Sequence, residues 1–445
     1  MSANRHSRRP LAALLLVALA AAIGCFSADG KHHRRGALEG ERSVEELHRS
    51  LGWYDLEAQN AIHETVPPKD LIEWAEKTRA LRKPAVPSPK KSILVVSGGG
   101  IYGAYPAGVL AGWSETGTRP EFDVVTGVST GALVGVFAFL GSNYDGELRR
   151  YYTTIRKEDI YKRRRFPFLI FAESLADNTP LARMIEEGIT DERIAAVAAE
   201  HRKGRRLYIG TSDLDTRRAV VWDMGALAVR NTPEDRKLIR DILLATTAIP
   251  GFFPPVRIPV TVDGVRYVER HVDGNTSSAM FFVPPHVPAE ARATLPSSWL
   301  YGSDLYCLVA GKLYADPVPV KARTFRIAGN AISTVLYDQT RSDLHKLFLM
   351  SVLTGMNFYM TAIPKDLPVT TDSTDFDPAQ MSLMFEAGAE WARTNRQWRQ
   401  TPPGYEPGEG SKYRSGTVLT DTGARTLVGQ PGPNEIMVPV VPEKK

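Results

Sequence analysis

The chain has 445 residues, 43% hydrophobic and 24% charged. This is the composition of a globular protein and excludes a disordered, collagen-like or coiled-coil chain. Lys and Arg number 55 against 50 Asp and Glu, a net charge of +5, which over this length gives no reason to expect nucleic acid as a partner. Its two cysteines, Cys25 and Cys307, exclude a disulfide scaffold and a cysteine-based zinc cluster.

Arg5, His6, Arg8 and Arg9 open the chain with positive charge, and Leu11 to Ile23 is apolar. That run is shorter than the roughly 20 residues a spanning helix needs. A basic start, a short apolar core and small residues at its end predict that residues 1–24 are a secretory signal, to be set aside from the fold. The ending Ala22-Ile23-Gly24-Cys25 resembles the bacterial lipoprotein lipobox, with Ala22 where Leu is usual. The resemblance implies a lipidated Cys25 and a protein of the bacterial cell envelope, membrane-anchored on the periplasmic side or in the outer membrane. Plain secretion with cleavage near Ala22 is the alternative.

Residues 25–90 read as a lipidated tether and an N-terminal helical segment. Phe26 to Arg42 is polar and basic, and Ser43 to Thr65 and Leu71 to Leu81 space their apolar residues as helices do. Ser43 and Glu46 form a capping-box start. Pro84, Pro87 and Pro89 then break the chain. Ser92 to Val96 is the first strong strand, followed by glycines and a helix from about Ala104 to Glu115. A second buried strand, Phe122 to Thr126, leads to an apolar helix, Thr130 to Leu140. This alternation predicts an α/β fold with a mostly parallel central sheet flanked by helices.

Further strands are expected at Arg206 to Gly210, Ala219 to Trp222, Arg266 to Val272 and Leu305 to Ala310. Pro233 to Thr247 reads as a helix with Pro in its first turn. Cys307 lies in an apolar run and reads as an inert core thiol. Thr334 to Met360 reads as one long helical region. After about Trp398 the chain turns polar and rich in Gly and Pro, so residues 399–445 read as a flexible tail and residues 91–398 as the main domain.

Three short segments carry the chemistry. Gly127-Val128-Ser129-Thr130-Gly131 is a G-x-S-x-G motif between a strand and a helix. A sharp turn there exposes the Ser129 hydroxyl, and the new helix favours developing negative charge. Gly98-Gly99-Gly100-Ile101-Tyr102-Gly103 matches G-x-G-x-x-G. It reads either as a dinucleotide fingerprint or as a loop of bare backbone N–H groups that holds an oxyanion. The dinucleotide reading wants an acid at the end of the next strand, but Asp123 opens that strand and Ser129 ends it. No Lys-Ser/Thr pair follows to make a nucleotide phosphate loop. The third segment is His271-Val272-Asp273-Gly274-Asn275, in which Asp273 ends a strand-like run. Asp-Gly alone would read as a turn.

Together these segments resemble the patatin-like phospholipase family, whose members carry G-G-G-x-Arg/Lys-G, then G-x-S-x-G, then Asp-Gly-Gly/Ala. The order holds here, and Ala245 to Pro255 is also similar to the family's segment before the Asp strand. The motif core covers residues 93–283. Tyr102 stands where the family has Arg or Lys, and Asn275 where it has Gly or Ala. The first removes a fixed positive charge beside the glycine loop. The second suits a turn, since Asn tolerates unusual backbone angles.

The resemblance implies a patatin-like three-layer α/β fold and a serine acyl hydrolase that cleaves lipid acyl esters, as a phospholipase A or lysophospholipase does. It implies Ser129 as nucleophile, Asp273 as its base without a histidine, and the N–H groups of Gly98, Gly99 and Gly100 as the oxyanion hole. Gly103, Gly127, Gly131 and Gly274 complete the motifs. No cofactor, metal or nucleotide is implied, and the partners are a lipid substrate and a membrane surface. A Ser-His-Asp triad is the competitor, with His271, His286 and His345 as candidates. The alternative function is an inactive patatin-fold lipoprotein that binds lipid or assists envelope assembly, kept open by Tyr102. Lys162 to Arg165, followed by the apolar Phe166 to Phe171, reads as a solvated charge run before a buried segment, or as a contact for an anionic membrane.

Overall fold

In this computed structural model, residues 68–84, 89–164, 172–262, 264–282, 299–316, 324–394, 397–405, 415–420 and 423–428 are described. The expected signal, Cys25, the tether, the helical stretch Ser43–Thr65, residues 165–171 of the basic and apolar cluster, and His286 lie outside them.

Helix α1 (Pro68–Leu81) precedes β1 (Ser92–Val96). A 3-10 turn (Gly100–Gly103) leads into α2 (Ala104–Glu115), then β2 (Val124–Val128) and α3 (Thr130–Leu140). Next come α4 (Asp145–Thr154), the short α5 (Lys157–Ile160), a small antiparallel pair β3 (Lys162–Arg163) and β4 (Ala176–Asp177), α6 (Thr179–Gly188) and α7 (Asp191–Arg202). They are followed by β5 (Arg206–Asp213), β6 (Arg218–Asp223), α8 (Met224–Arg230) and α9 (Pro233–Thr246). The hairpin β7 (Val256–Val262) and β8 (Val265–Asp273) precedes β9 (Asp304–Leu308), α10 (Thr324–Thr354), β10 (Asn357–Thr361) and α11 (Pro378–Thr394).

The main sheet has the order β10-β9-β1-β2-β5-β8-β7, with β6 also paired to β5. Strands β10, β9, β1, β2 and β5 are parallel, while β6, β7 and β8 join antiparallel. This is the expected mixed, mostly parallel sheet with helices on both faces. Its central strands β1 and β2 are almost wholly buried because both faces are covered. In β1, Leu94 and Val96 enter the core shared with α2, α3 and α11, whereas Ile93 and Val95 enter the one shared with α1 and α10. Alternation along the strand thus feeds two cores. Cys307 is fully buried on β9, as expected, and burial raises its thiol pKa.

Most expected elements appear within a residue or two. The second strand lies at Val124–Val128 and runs up to Ser129. The expected helix Thr334–Met360 is corrected by the structure. The helix starts at Thr324 and ends at Thr354, Gly355 turns the chain with φ +78°, and Asn357–Thr361 is a strand. A buried parallel strand is a continuous apolar run, which periodicity cannot separate from a buried helix end. The expected tail also holds ordered pairing. Met360 and Arg399 exchange backbone hydrogen bonds at 2.8 and 3.1 Å, and β11 (Ser415–Thr420) pairs with β12 (Gly423–Val428).

Candidate active site

β5 brings the two candidate reacting residues together. Its residues 208–210 pair with β2 on one edge and with β6 on the other. β6 continues along its edge to Asp213, so β8, which pairs with Thr211 to Asp213, must occupy the same edge as β2. Val128 sits opposite Gly210, and Asp273 sits opposite the next residue, Thr211. β2 therefore stops where β8 begins. Ser129, one residue beyond Val128, meets Asp273 end to end.

Ser129 turns sharply from β2 into α3, with φ +53° and ψ −129°. A non-glycine residue adopts such angles only when its surroundings enforce them. Here the enforcement is steric on both sides. A Cβ on Gly127 would lie 2.4 Å from the Gly131 carbonyl oxygen, and one on Gly131 would lie 2.4 Å from the carbonyl oxygens of Val96 and Ser97. The G-x-S-x-G glycines thus let α3 press against the ends of β1 and β2. The Ser129 N–H donates to Thr246 Oγ1 at 2.8 Å, and that hydroxyl donates to the Gly210 carbonyl at 2.6 Å. Thr246 ends α9 and is fully buried. It ties the turn to β5.

Asp273 is buried. Burial pushes its carboxyl up to about 7, against the lowering effect of hydrogen bonds from the Ser129 hydroxyl and the Asn275 N–H. The latter bond is 2.9 Å long and closes a tight turn onto Asp273 Oδ1. Asn275, a departure from the family pattern, so keeps the turn intact. Its side chain covers Gly98, where an added Cβ would come 2.5 Å from the amide nitrogen. Gly274 packs on β5, where an added Cβ would fall 2.5 Å from the Gly210 carbonyl oxygen.

The loop Gly98–Gly100 leaves the end of β1 beside this pair. Ser97 Oγ accepts the Ala310 N–H at 2.8 Å and donates to the Gly98 carbonyl at 3.0 Å, fastening the loop to the end of β9. Gly100 has φ +58°, and its Cβ would meet the Ser373 carbonyl oxygen at 2.1 Å. Gly99 lies as tightly against Ala310. Among the described residues no acceptor takes the N–H groups of Gly98, Gly99 or Gly100. Three donors at the start of a helix, without acceptors, suit a developing anion. Gly103 packs on Thr130 at the base of the 3-10 turn. Tyr102 is buried, and its hydroxyl donates to the Thr370 carbonyl at 2.8 Å. Burial raises its pKa, so it stays neutral.

Ser129 and Gly100 open into an apolar cavity of about 110 Å³. Its walls include Leu133 and Phe137 of α3, Ile185 and Met184 of α6, and Phe253. The polar groups of the side chains that line it are hydroxyls, among them those of Ser129, Thr130 and Thr247.

Neither described candidate histidine reaches Ser129. His271 shares a strand face with Asp273, but its ring bonds Thr211 Oγ1 at 3.0 Å and Glu269 Oε2 at 2.9 Å. His345 Nδ1 lies 2.7 Å from the Arg341 carbonyl within α10. The sequence alone does not mark Thr246 or Ser97 as site residues. For Thr246 the signal was the similarity of Ala245–Pro255 to the family's segment, and Thr246 lies at its start. No group of three or more metal-ligating side chains occurs among the described residues, and none of their helices is long and apolar enough to cross a membrane.

The family model described as Patatin-like phospholipase matches residues 94–284. Among solved structures, the fold is similar to VipD from Legionella pneumophila, at 12% identity and a TM-score of 0.32. That match covers 68% of this chain and 66% of VipD, just under two thirds of its length. No curated protein sequence matches the chain.

Proposed function

We propose, for a chain whose residues 94–284 match the patatin-like phospholipase family model, that the protein is a serine acyl hydrolase acting on lipid esters. The family is one of lipid hydrolases. The finer reading rests on one observation, the meeting of Ser129 and Asp273 at the mouth of an apolar cavity. The cavity takes an acyl chain, whose burial there is favoured by roughly 0.8 kcal/mol per CH₂. That places the ester carbonyl at Ser129.

In this mechanism the Ser129 hydroxyl oxygen attacks the carbonyl carbon while Asp273 takes its proton. The carbonyl oxygen becomes an oxyanion facing the N–H groups of Gly98, Gly99 and Gly100. One such donor is typically worth ~3–4 kcal/mol in the transition state. Collapse expels the alcohol, which leaves with the proton from Asp273, and an acyl-Ser129 remains. Water, deprotonated by Asp273, then releases the fatty acid. A carboxyl near pH 7 is well matched to this alternation of base and acid. Tyr102 leaves these groups in place, because its hydroxyl is bonded away from the loop to Thr370.

The test is labelling by a fluorophosphonate, which reacts only with an activated serine. Wild type is expected to label and Ser129→Ala not to. Well-folded wild type that stays unlabelled, in detergent and with lipid present, would overturn the reading.

A further inference from the structure

The first half of α10 is built unlike the rest of the protein. Residues 327–335 are each exposed, with Ile327 at 54%, Ile332 at 59% and Val335 at 62%. No charged residue occurs between Arg326 and Asp338. At about 100° per residue, Ile327, Ala328, Ala331, Ile332 and Val335 share one side of the helix, and Gly329, Asn330, Ser333 and Thr334 the other. Further along α10, Leu344, Leu347, Phe348 and Val352 face the core. By the same geometry the apolar side of the first half points roughly opposite, away from the body of the protein.

The chain direction places this half at the reacting edge. α10 ends at Thr354, just before β10, which runs parallel to β9, β1 and β2. The helix therefore returns against those strands and begins at the edge where they end, the edge that carries Ser129 and the Gly98–Gly100 loop. Tyr337 lies close enough to Tyr102 to influence its hydroxyl, and the Arg341 guanidinium lies over the Tyr314 ring at 5.1 Å, in the segment after β9. Above Tyr337, the stretch back to Ile327 rises about 15 Å.

Such a helix lacks support in water. Ile327, Ile332, Thr334 and Val335 are β-branched, and Gly329 and Asn330 are weaker helix formers still. The stretch extends the packed second half of α10 but adds little packing of its own. An apolar medium supplies what is missing, because there every backbone group must be bonded within the helix. A stable protein interface takes roughly 20–30 residues a side, far more than this one helix half offers. Entry into the boundary of headgroups and acyl chains needs no matching shape, only an uncharged apolar face some 5–10 Å deep.

We propose that residues 327–336 are an interfacial docking helix that enters a lipid surface and sets the mouth of the Ser129 cavity against it. The proposal takes its occupant, lipid, from the hydrolase reading above. The test uses the full chain with Cys25→Ser and Ser129→Ala, so that neither an attached acyl chain nor hydrolysis contributes. An environment-sensitive fluorophore is attached at position 332 through Ile332→Cys, or at position 203 on the opposite edge through Lys203→Cys. Phosphatidylcholine vesicles containing phosphatidylglycerol are expected to shift the emission at 332 to the blue, with no shift at 203. No shift at 332 overturns the proposal. So does a shift without vesicles that grows with protein concentration, which would make the helix a contact between copies of the chain. In the active protein, the double variant Ile332→Asp with Val335→Asp is expected to lose at least about tenfold activity on vesicle-borne ester and to keep wild-type activity on a soluble short-chain ester. A wild type inactive on the soluble ester would break the hydrolase reading and leave the fluorescence result to stand separately.

Discussion

Two uncharged stretches of this chain have opposite surroundings. Residues 130–140 of α3 and 327–337 of α10 are both uncharged and rich in small and apolar residues. α3 is buried along almost its whole length, pressed between the sheet, α7 and α9. The α10 stretch is exposed from 327 to 335. A helix that is apolar on all sides normally lies inside a protein or a membrane. α3 finds that environment in its own chain, and it thereby holds the backbone of Ser129 in a conformation serine would not otherwise keep. The α10 stretch is apolar on one side only, the side turned away from the protein. Composition alone says how much apolar surface exists, not who covers it.

The largest effect should come from the enclosed end. Asp273→Asn is expected to lower ester hydrolysis by a factor on the order of 10²–10⁴. Wild-type activity should rise with pH through about 7, where Asp273 ionises, and then level off. Stability should move the other way. The folded carboxyl holds its proton to about pH 7, whereas an unfolded one loses it near ~4. Folding therefore binds a proton between those values, and the stability this contributes, full below ~4, is lost as pH rises through 7. Thermal midpoints of wild type should fall across that window relative to those of Asp273→Asn. A variant with wild-type activity would remove Asp273 from the mechanism.

A pair of truncations tests the contrast directly. Phe139→Ala, in the fully buried part of α3, should cost about 3–5 kcal/mol. Ile332→Ala, exposed on α10, should stay within about 0.5 kcal/mol. Equal costs by urea titration would mean that the α10 stretch is covered in solution. A smaller effect is expected from Thr246→Val, which removes the acceptor for the Ser129 N–H and leaves a buried donor unpaired. The loss should be about 1–3 kcal/mol, with the fall in kcat greater than the change in KM because the nucleophile shifts. Smallest is Tyr102→Phe. It deletes one hydrogen bond to Thr370, worth about 0.5–1.5 kcal/mol, and hydrolysis should remain within a few-fold of wild type. A collapse of activity in Tyr102→Phe would give that hydroxyl a role in the reaction.

The parts of the site readable from sequence are those set by local geometry. Gly127 and Gly131 flank Ser129 because α3 touches the ends of β1 and β2, and a close approach leaves glycine behind. Asp273 ends a strand, but Asp-Gly alone reads as a turn, and only the family resemblance points to it as a base. Thr246 was not, since its role is a contact with a residue far away in the chain, and a threonine near a helix end is ordinary. Ser97 was hidden for the same reason, as was the carbonyl of Ser373 that backs the glycine loop. The strand Asn357–Thr361 reads as helix in the sequence because its apolar centre continues that of the preceding helix, though Gly355 just before it carries the usual sign of a helix end. The length of α10 was missed at its start, where polar and β-branched residues weaken the helical pattern that later residues make plain.

The way β2 and β8 divide one edge of β5 has a consequence in time. A polypeptide is made from its first residue to its last, so Ser129 and its glycines are complete well before β5, and β5 before β8. On the mechanism proposed above, until Asp273 has been added and has taken the place beside Thr211, the serine has no base within reach. On that mechanism, a nascent chain, or one cut anywhere ahead of β8, has no hydrolytic action on lipid. Strand β8 is added only once its seat on β5 exists.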